Sequence, residues 1–276
     1  MKSKRLAKPL ALLVAAIAAM ALAAPAAQAA TPAPGYTQFA GCPSPAENPK
    51  AFDCIRAVIK GGHFQMGNKD VPITAPITLS GGFDPFATSP ISASPKGGMS
   101  IAKQKVPGGV IGLTGLTWLL EFLGSEALTL YAATELAGVP TITFSSFETT
   151  LPVKVHLING VLGNNCYVGS VSSPIVLHLS PFTTSPPPPN KPITGVFPEV
   201  SFTESPEITY LKNGELVDNA FSAPGASGCV LTLFGFIPIS INGLVNSQSG
   251  LPAAAGTNET RQITDQELAL QSKVYP

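Results

Sequence analysis

The stretch VKVHL at residues 153–157 decides the fold class, because apolar and polar residues alternate in it one by one. Successive side chains of a β-strand point to opposite faces of a sheet, so this stretch has one buried and one exposed face. The same period continues at 141–145 and at 175–179, where His178 lies opposite three apolar residues. We therefore predict a mostly β fold, an antiparallel β-sandwich built from half-buried strands.

The composition favours the same fold class. The chain of 276 residues contains 28 Pro and 26 Gly, which interrupt helices along most of its length. Hydrophobic residues make up 45% and charged residues only 12%, so much of the chain must be buried against itself, a partner or an envelope surface. An all-β sandwich can use a chain of this length in one domain.

The first 29 residues carry the features of a secretory signal peptide. A basic start is followed by an uncharged apolar run at 10–24 and by the small residues Ala27 and Ala29. The apolar run of about 15 residues is shorter than the roughly 20 that a transmembrane helix needs. We predict a Sec-type signal peptide at 1–29 and a single β-rich domain at 30–276 that is either secreted and extracellular or associated with the cell envelope.

The charge distribution argues against nucleic acid as a partner. The predicted signal peptide holds four of the 16 basic residues and none of the 16 acidic ones, which leaves 12 minus 16, a net charge of −4. The remaining basic residues are dispersed along the chain. A nucleic-acid surface requires a basic stripe with interleaved aromatic residues, and the sequence has none.

Four cysteines, Cys42, Cys54, Cys166 and Cys229, lie in the predicted domain. An even number in an exported chain favours two disulfides, for which three pairings are possible. We favour Cys42 with Cys54, which are close in sequence, and Cys166 with Cys229, which lie in two strand-like segments. A zinc site is the alternative, but the C-x-x-C spacing is absent and the histidines are scattered. We predict no metal and no cofactor.

The apolar segment at 110–137 departs from the period of two. Its members approximate one helical stripe, interrupted by Glu121 and Glu126. The residues of this stripe are Leu116, Leu119, Leu120, Leu123, Ala127, Leu128 and Tyr131. Two carboxylates near the middle oppose a transmembrane span. We predict a helical or buried excursion within the core; the alternative is an exposed patch that contacts a membrane or a partner.

Three further patterns predict local structure. The dipeptide Asn213-Gly214 is typical of a type I′ hairpin turn, across which Lys212 and Glu215 would face each other. The run at 230–241 is apolar on both faces and predicts one or two central strands. The polar tail predicts a helix at 264–273, capped by Thr264 or Asp265.

No catalytic motif stands out. The nucleophile elbow, the zincin motif, phosphate-binding loops and dinucleotide fingerprints are missing. A glycosidase needs two carboxylates, and an acid–base mechanism could use His156 or His178 on a strand. The available carboxylates, which a solvated face also explains, are Glu199, Glu204, Glu207 and Asp218. An exposed strand position is the simpler interpretation of both histidines, so we lean towards a protein that is not an enzyme.

The segments NNCYVGS at 164–170, LVDNAF at 216–221 and PGASGC at 224–229 together resemble a pattern in exported actinobacterial proteins of uncharacterised function. The resemblance covers residues 150–245 and implies an exported, β-rich body that retains Cys166 and Cys229. It implies no activity and no catalytic residue.

The favoured function is therefore a non-catalytic exported protein that binds or structures an unknown envelope or protein partner. The competing hypothesis is a secreted hydrolase with carboxylate or histidine catalysis. Two close carboxylates in a pocket, or a histidine paired with a carboxylate, would favour the hydrolase. An exposed apolar surface would favour binding.

Overall fold

Every strand pair in the described part of the chain is antiparallel. The computed structural model describes residues 30–233 and 236–276, so the predicted signal peptide at 1–29 lies outside the described residues. Residues Thr31–Pro276 form one compact unit. The predicted mostly β fold class is confirmed.

The strands are β1 (Asp53–Met66), β2 (Lys69–Pro72), β3 (Ile77–Phe83), β4 (Thr88–Pro90), β5 (Gly98–Met99), β6 (Lys103–Lys105), β7 (Tyr131–Leu136), β8 (Thr141–Thr143), β9 (Glu148–Ile158), β10 (Tyr167–Val168), β11 (Ile175–Leu179), β12 (Glu199–Glu204), β13 (Glu207–Asp218), β14 (Ala226–Ser227), β15 (Val230–Leu233), β16 (Ile237–Ser240) and β17 (Glu259–Leu270). The helices are α1 (Gly109–Thr114), α2 (Leu119–Ala127), α3 (Asn242–Ser249) and α4 (Gln271–Val274). Short 3₁₀ helices lie at Thr37–Phe39, Phe144–Ser146 and Gly160–Leu162.

Two sheets form the sandwich. Sheet A has the order β12-β13-β17-β1-β3-β5, with β2 added to β1. Sheet B has the order β14-β10-β9-β7-β6, with β11 and β8 also paired to β9 and β4 paired to β8. One hydrophobic core contains side chains from both sheets, for example Ile55 and Leu79 of sheet A with Leu151 and Leu177 of sheet B.

The alternating stretches place their apolar residues in this core. Val153, Val155 and Leu157 of β9 are buried, whereas the intervening side chains are half-buried. In β11 Ile175, Leu177 and Leu179 are buried, whereas Val176 and His178 are exposed. Burial of each such side chain stabilises the fold by roughly 1.5 to 3 kcal/mol, so the period of two fixes which face of each strand turns inward.

A smaller core lies on the outer face of sheet A. Tyr36 and Phe39 from the start of the described chain and Val274 of α4 pack there against Ile208 and Ala269. The disulfide between Cys42 and Cys54 joins this layer to β1.

Both predicted disulfides are confirmed. The second bridge links Cys166, just before β10, to Cys229, just before β15, and it closes a loop of 63 residues. None of the four cysteines is free.

The predicted hairpin turn at Asn213-Gly214 is wrong, because β13 continues through both residues. The positive φ of Asn213, 56°, serves a bulge instead, and the pairing with β17 shifts register between Leu211 and Gly214. The amide of Asn213 donates to Asp265 Oδ1 at 2.9 Å, which holds the bulge in place. Lys212 accordingly lies near Asp265 rather than opposite Glu215.

The predicted helix at 264–273 is also wrong, because β17 occupies most of it and only Gln271–Val274 is helical. Pairing along both edges of β17, with β1 and β13, overrides the local helical pattern. The run at 230–241 does not supply central strands either. Its strands β15 and β16 form a separate ribbon, in which Ile237 and Ile239 are each 42% exposed.

The apolar segment at 110–137 is helical and then extended, which confirms the excursion in part. Leu119 and Leu128 are buried, but Leu123 is 46% exposed and Tyr131 already belongs to β7. The stripe breaks at Gly124, whose φ of 73° is not helical. Among the residues that the structure describes, no helix combines the length and the apolar character needed to cross a membrane.

Candidate ligand-binding groove

The inner face of sheet A continues beyond the covered core and ends in an open groove at β12. Val200 pairs with Leu211 and Phe202 pairs with Thr209, so Val200 and Leu211 share one face of the sheet. The volume of this cleft, which we call the β12 groove, is ≈ 850 Å³. Its lining consists of Asp53, Phe144, Phe147, Val200, Phe202, Thr203, Glu204, Glu207, Ile208, Thr209, Leu211, Leu268, Ala269 and Leu270.

The side chains of β12 are unusually exposed for a strand of this composition. All six of its residues are exposed, including Val200 at 54% and Phe202 at 73%. Leu211 and Leu268, the next apolar residues inward, are buried. The groove therefore begins where sheet B stops covering sheet A, and it leaves large apolar side chains in contact with water.

Aromatic rings line the opposite side of the groove and extend to the protein surface. The ring centroids of Phe144 and Phe147 are 5.3 Å apart, those of Phe147 and Phe197 are 4.8 Å apart, and those of Phe197 and Phe182 are 5.4 Å apart. Phe197 and Phe182 are 45% and 49% exposed. Offset and edge-on contacts of this kind hold the rings in a fixed arrangement. The result is a continuous aromatic surface.

The backbone of Phe147 is strained. Its φ is 50°, a left-handed conformation that an aromatic residue rarely adopts. The amide of Phe147 donates to the carbonyl oxygen of Phe144 at 3.1 Å, which closes the short helix before it. Such strain costs on the order of 1 to 3 kcal/mol and occurs preferentially at functional sites. Here it directs the Phe147 side chain into the groove lining.

The charged groups in the groove lining are all acidic. Glu204 and Glu207 are paired opposite each other at the ends of β12 and β13. Glu207 also forms an exposed ion pair with Lys273, at 3.2 Å between Nζ and Oε2. Burial, with a further contribution from the charge of Asp84, raises the pKa of Asp53 to about 6. A cationic group in the groove would therefore meet carboxylates, one of which lacks full solvation.

The structure pairs His156 with a carboxylate, as the hydrolase hypothesis requires. Its Nδ1 lies 3.4 Å from Glu135 Oε1, and its ring stacks on Tyr167 with centroids 4.3 Å apart. Lys154 Nζ lies 3.1 Å from the other oxygen of Glu135 and 4.4 Å from the centroid of the Tyr167 ring. These side chains form an ion-paired cluster on the outer face of sheet B, and none of them lines the β12 groove.

His178 is paired in a similar way with Glu148, at 3.2 Å between Nδ1 and Oε1. Both side chains are strongly exposed, and the pair lies on the surface of β11 and β9. Asp218 accepts the backbone N–H groups of His178 and Ala220, at 2.7 and 2.8 Å. Burial raises the pKa of Asp218 even though both hydrogen bonds oppose the shift. Its position indicates a structural link between β11 and the end of β13.

Of the four candidate carboxylates, the groove therefore brings together only Glu204 and Glu207. Glu199 lies opposite Lys212 across the hairpin, and Asp218 lies at the far end of β13. Sequence analysis missed the phenylalanines and Asp53. The alternation of Val200 and Phe202 with Ser201 and Thr203 was a usable signal for β12. Within the described ranges, no cluster of three or more histidine, cysteine or acidic residues is arranged to hold a metal ion.

Comparison with protein families, curated proteins and solved structures gives no match to this chain. The interpretation of the groove therefore rests on its own geometry.

Proposed function

We propose that this chain is an exported, non-catalytic binding protein and that the β12 groove holds an apolar part of its ligand. One observation carries the proposal: Val200 and Phe202 are exposed beside Phe144 and Phe147 in a cleft of ≈ 850 Å³. Ligand sites in proteins are typically concave, mostly apolar and between about 300 and 1,000 Å³ in volume.

The energetics support ligand binding at this position. Complete burial of one large apolar side chain contributes roughly 1.5 to 3 kcal/mol. Phe202 is 73% exposed and Val200 is 54% exposed, so most of this free energy remains to be gained when a ligand covers them. The fixed rings of Phe144 and Phe147 lower the entropy cost of binding, since they are ordered beforehand.

The two disulfides support export, because disulfides persist in oxidising compartments outside the cytosol. The signal-peptide pattern at 1–29 and the resemblance to exported actinobacterial proteins point the same way. We propose an extracellular location, with association to the cell envelope through the ligand of the groove. Fractionation of the native host with mass spectrometry tests the location, and recovery of the protein in the cytosol would contradict it.

A fluorescent apolar probe, N-phenylnaphthylamine, tests the groove itself. We expect the wild-type protein to bind the probe and Phe202→Ser to weaken binding about tenfold or more, since about 1.4 kcal/mol changes an affinity tenfold. Phe86→Ser is the matched control, because Phe86 is 82% exposed but contacts Phe52 outside the groove lining. Equal loss in both variants, or no loss in Phe202→Ser, would contradict the proposed site.

The competing hydrolase function is favoured only by histidine–carboxylate pairs, which His156, His178 and also His63 form, the last with Asp70 at 2.8 Å. Nitrophenyl esters and nitrophenyl glycosides are suitable substrates for a test. If the protein releases nitrophenol, and His156→Gln or His178→Gln abolishes the release, the hydrolase is the better function. We expect no release, and we expect both variants to bind the apolar probe like the wild type.

A further inference from the structure

We propose that the occupant of the β12 groove is an extended polypeptide segment that adds to the free edge of β12 as a further strand. The inference rests on the proposed function and specifies its ligand. Main-chain hydrogen bonds to an exposed sheet edge would supply affinity, and pockets for alternate side chains would supply specificity.

The edge of β12 is open for pairing. β12 is the terminal strand of sheet A, and among the described residues its only strand partner is β13. Natural edge strands are usually protected by proline, lysine, a bulge or a covering loop. The β12 sequence EVSFTE contains neither proline nor lysine, and its register with β13 is continuous. This edge therefore lacks several of the usual devices that prevent strand addition.

The groove lies where alternate side chains of an added strand would project. Neighbouring strands are about 4.8 Å apart, and every second side chain points to the same face. Side chains on the inner face would lie beside Val200 and Phe202 and approach Phe147 and Phe197. The segment should therefore carry apolar residues at alternate positions.

The charges select a basic segment. Asp53, Glu204 and Glu207 line the groove, and no lysine, arginine or histidine lines it. Only Glu207 has a cationic partner, Lys273, in an exposed ion pair. A lysine or arginine beside the apolar positions would pair with Glu204, at the end of β12 next to the added strand.

Two other occupants fit less well. A second copy of β12, with the sequence EVSFTE, has only acidic charged side chains, so it would bring like charges to a groove whose charged groups are all acidic. A lipid chain would need depth behind the groove. The interior cavity that adjoins the groove at Phe147 has a volume of only ≈ 20 Å³. A second cavity, which adjoins the first at Thr264, has a volume of ≈ 40 Å³. Such cavities accommodate about one or two water molecules each.

Synthetic peptides test the inference with the purified protein. The first has the sequence KTVTFTVK with blocked ends, and the second replaces both lysines by glutamate. The third and fourth peptides keep the first sequence but carry methyl groups on alternate backbone nitrogens. In the third the methyl groups lie along one edge of the extended peptide, and in the fourth they lie along the other edge. We expect the lysine peptide to bind at least about tenfold more tightly than the glutamate peptide. We expect at least one methylated peptide to lose about tenfold or more, because it cannot donate to β12.

The protein variant Glu204→Lys sharpens the test, since it should weaken the lysine peptide and strengthen the glutamate peptide. Glu199→Lys, at the other end of β12 and outside the groove lining, is the matched control, with a smaller expected change. Equal melting temperatures of the variants show that the fold is retained.

The failure of this inference differs from the failure of the proposed function. If both methylated peptides bind like the unmodified peptide, strand addition is overturned, although the groove still binds its ligand. If N-phenylnaphthylamine binds at Phe202 and no peptide binds, the occupant is an apolar small molecule and the inference is again overturned. If analytical ultracentrifugation shows a dimer that Ser201→Lys dissociates, the occupant is a second copy of the chain.

Discussion

Sheet B covers the centre of the inner face of sheet A but leaves the same face open at β12. The two regions differ in this covering layer and not in the pattern of their strands. In the centre, Ile55 and Leu79 are 3% and 7% exposed, because β9 and β11 pack over them. At the edge, Val200 and Phe202 alternate with polar residues in the same way, yet they are 54% and 73% exposed. An alternating pattern thus specifies which side chains share a face, but it does not specify whether another sheet covers that face.

The largest expected effect is a contrast in stability between these two regions. Leu177 is 1% exposed in the core, so Leu177→Ala should lower the free energy of unfolding by about 2 to 5 kcal/mol through lost burial and a new cavity. Phe202→Ala should change the free energy of unfolding by no more than about 0.5 kcal/mol, because truncating an exposed side chain removes little buried surface and creates no cavity. Urea unfolding followed by circular dichroism measures both.

One result would contradict the expected difference in stability between the core and the groove. If Phe202→Ala destabilises the protein as much as Leu177→Ala, Phe202 belongs to the core and the β12 groove is not free for a ligand. Val176→Ala is a useful control, because Val176 lies beside Leu177 on β11 but is 36% exposed.

The sequence predicted much of the sandwich because its long-range structure follows from local alternation. VKVHL and IVLHL are unambiguous, since in both stretches every second residue is strongly apolar. β17 was missed because its inner face contains Thr260, Gln262 and Thr264, which are buried although they are polar. A pattern of apolar residues cannot identify such a strand, whose position is fixed by β1 and β13 on either side.

The groove was less predictable because it depends on the junction of distant segments. Phe147 lies in the turn just before β9 of sheet B and Phe202 lies in β12 of sheet A, whereas Asp53 comes from a third position, the start of β1. Asn213 illustrates the same limit. The predicted type I′ turn needs a positive φ at both Asn213 and Gly214, but only Asn213 has one, and its amide hydrogen bond to Asp265 belongs to a bulge within β13. Residue preference predicts the local conformation, and tertiary contacts decide its use.

A second contrast lies within α2 and tests the same distinction on a helix. Leu119 is 2% exposed and Leu123 is 46% exposed, although both were predicted to lie on one buried stripe. Leu119→Ala should cost about 2 to 3 kcal/mol, whereas Leu123→Ala should cost less than about 0.5 kcal/mol. Thermal unfolding by calorimetry measures both. If Leu123→Ala also abolishes sedimentation with envelope fragments, this face of α2 rather than the β12 groove contacts the envelope.

The smallest expected effect concerns two carboxylates on opposite faces of sheet A. Burial and the charge of Asp84 raise the pKa of Asp53 to about 6 in the groove. On the outer face burial acts on Asp265 in the same direction, but the hydrogen bond from Asn213 and the contact with Lys60 outweigh it and lower the pKa of Asp265. The two groups should therefore give the stability of the protein opposite pH dependences.

For Asp53 the folded pKa lies above the unfolded value of about 3.9, so the folded state holds the proton more tightly. Its contribution to stability is complete below about pH 4 and is lost as the pH rises through 6. Asp53→Asn should therefore raise the melting temperature at pH 7.5 and leave it nearly unchanged at pH 3.5. Since solvent screens a half-buried group, the gain should be about 1 kcal/mol, or roughly 2 to 4 °C. Asp265 has a lowered folded pKa, so it contributes stability above the unfolded pKa and loses it as the pH falls; Asp265→Asn should lower the melting temperature at pH 7.5. If Asp53→Asn instead destabilises the protein at pH 7.5, the carboxylate of Asp53 has a cationic partner, and the open groove is no longer an unneutralised acidic site.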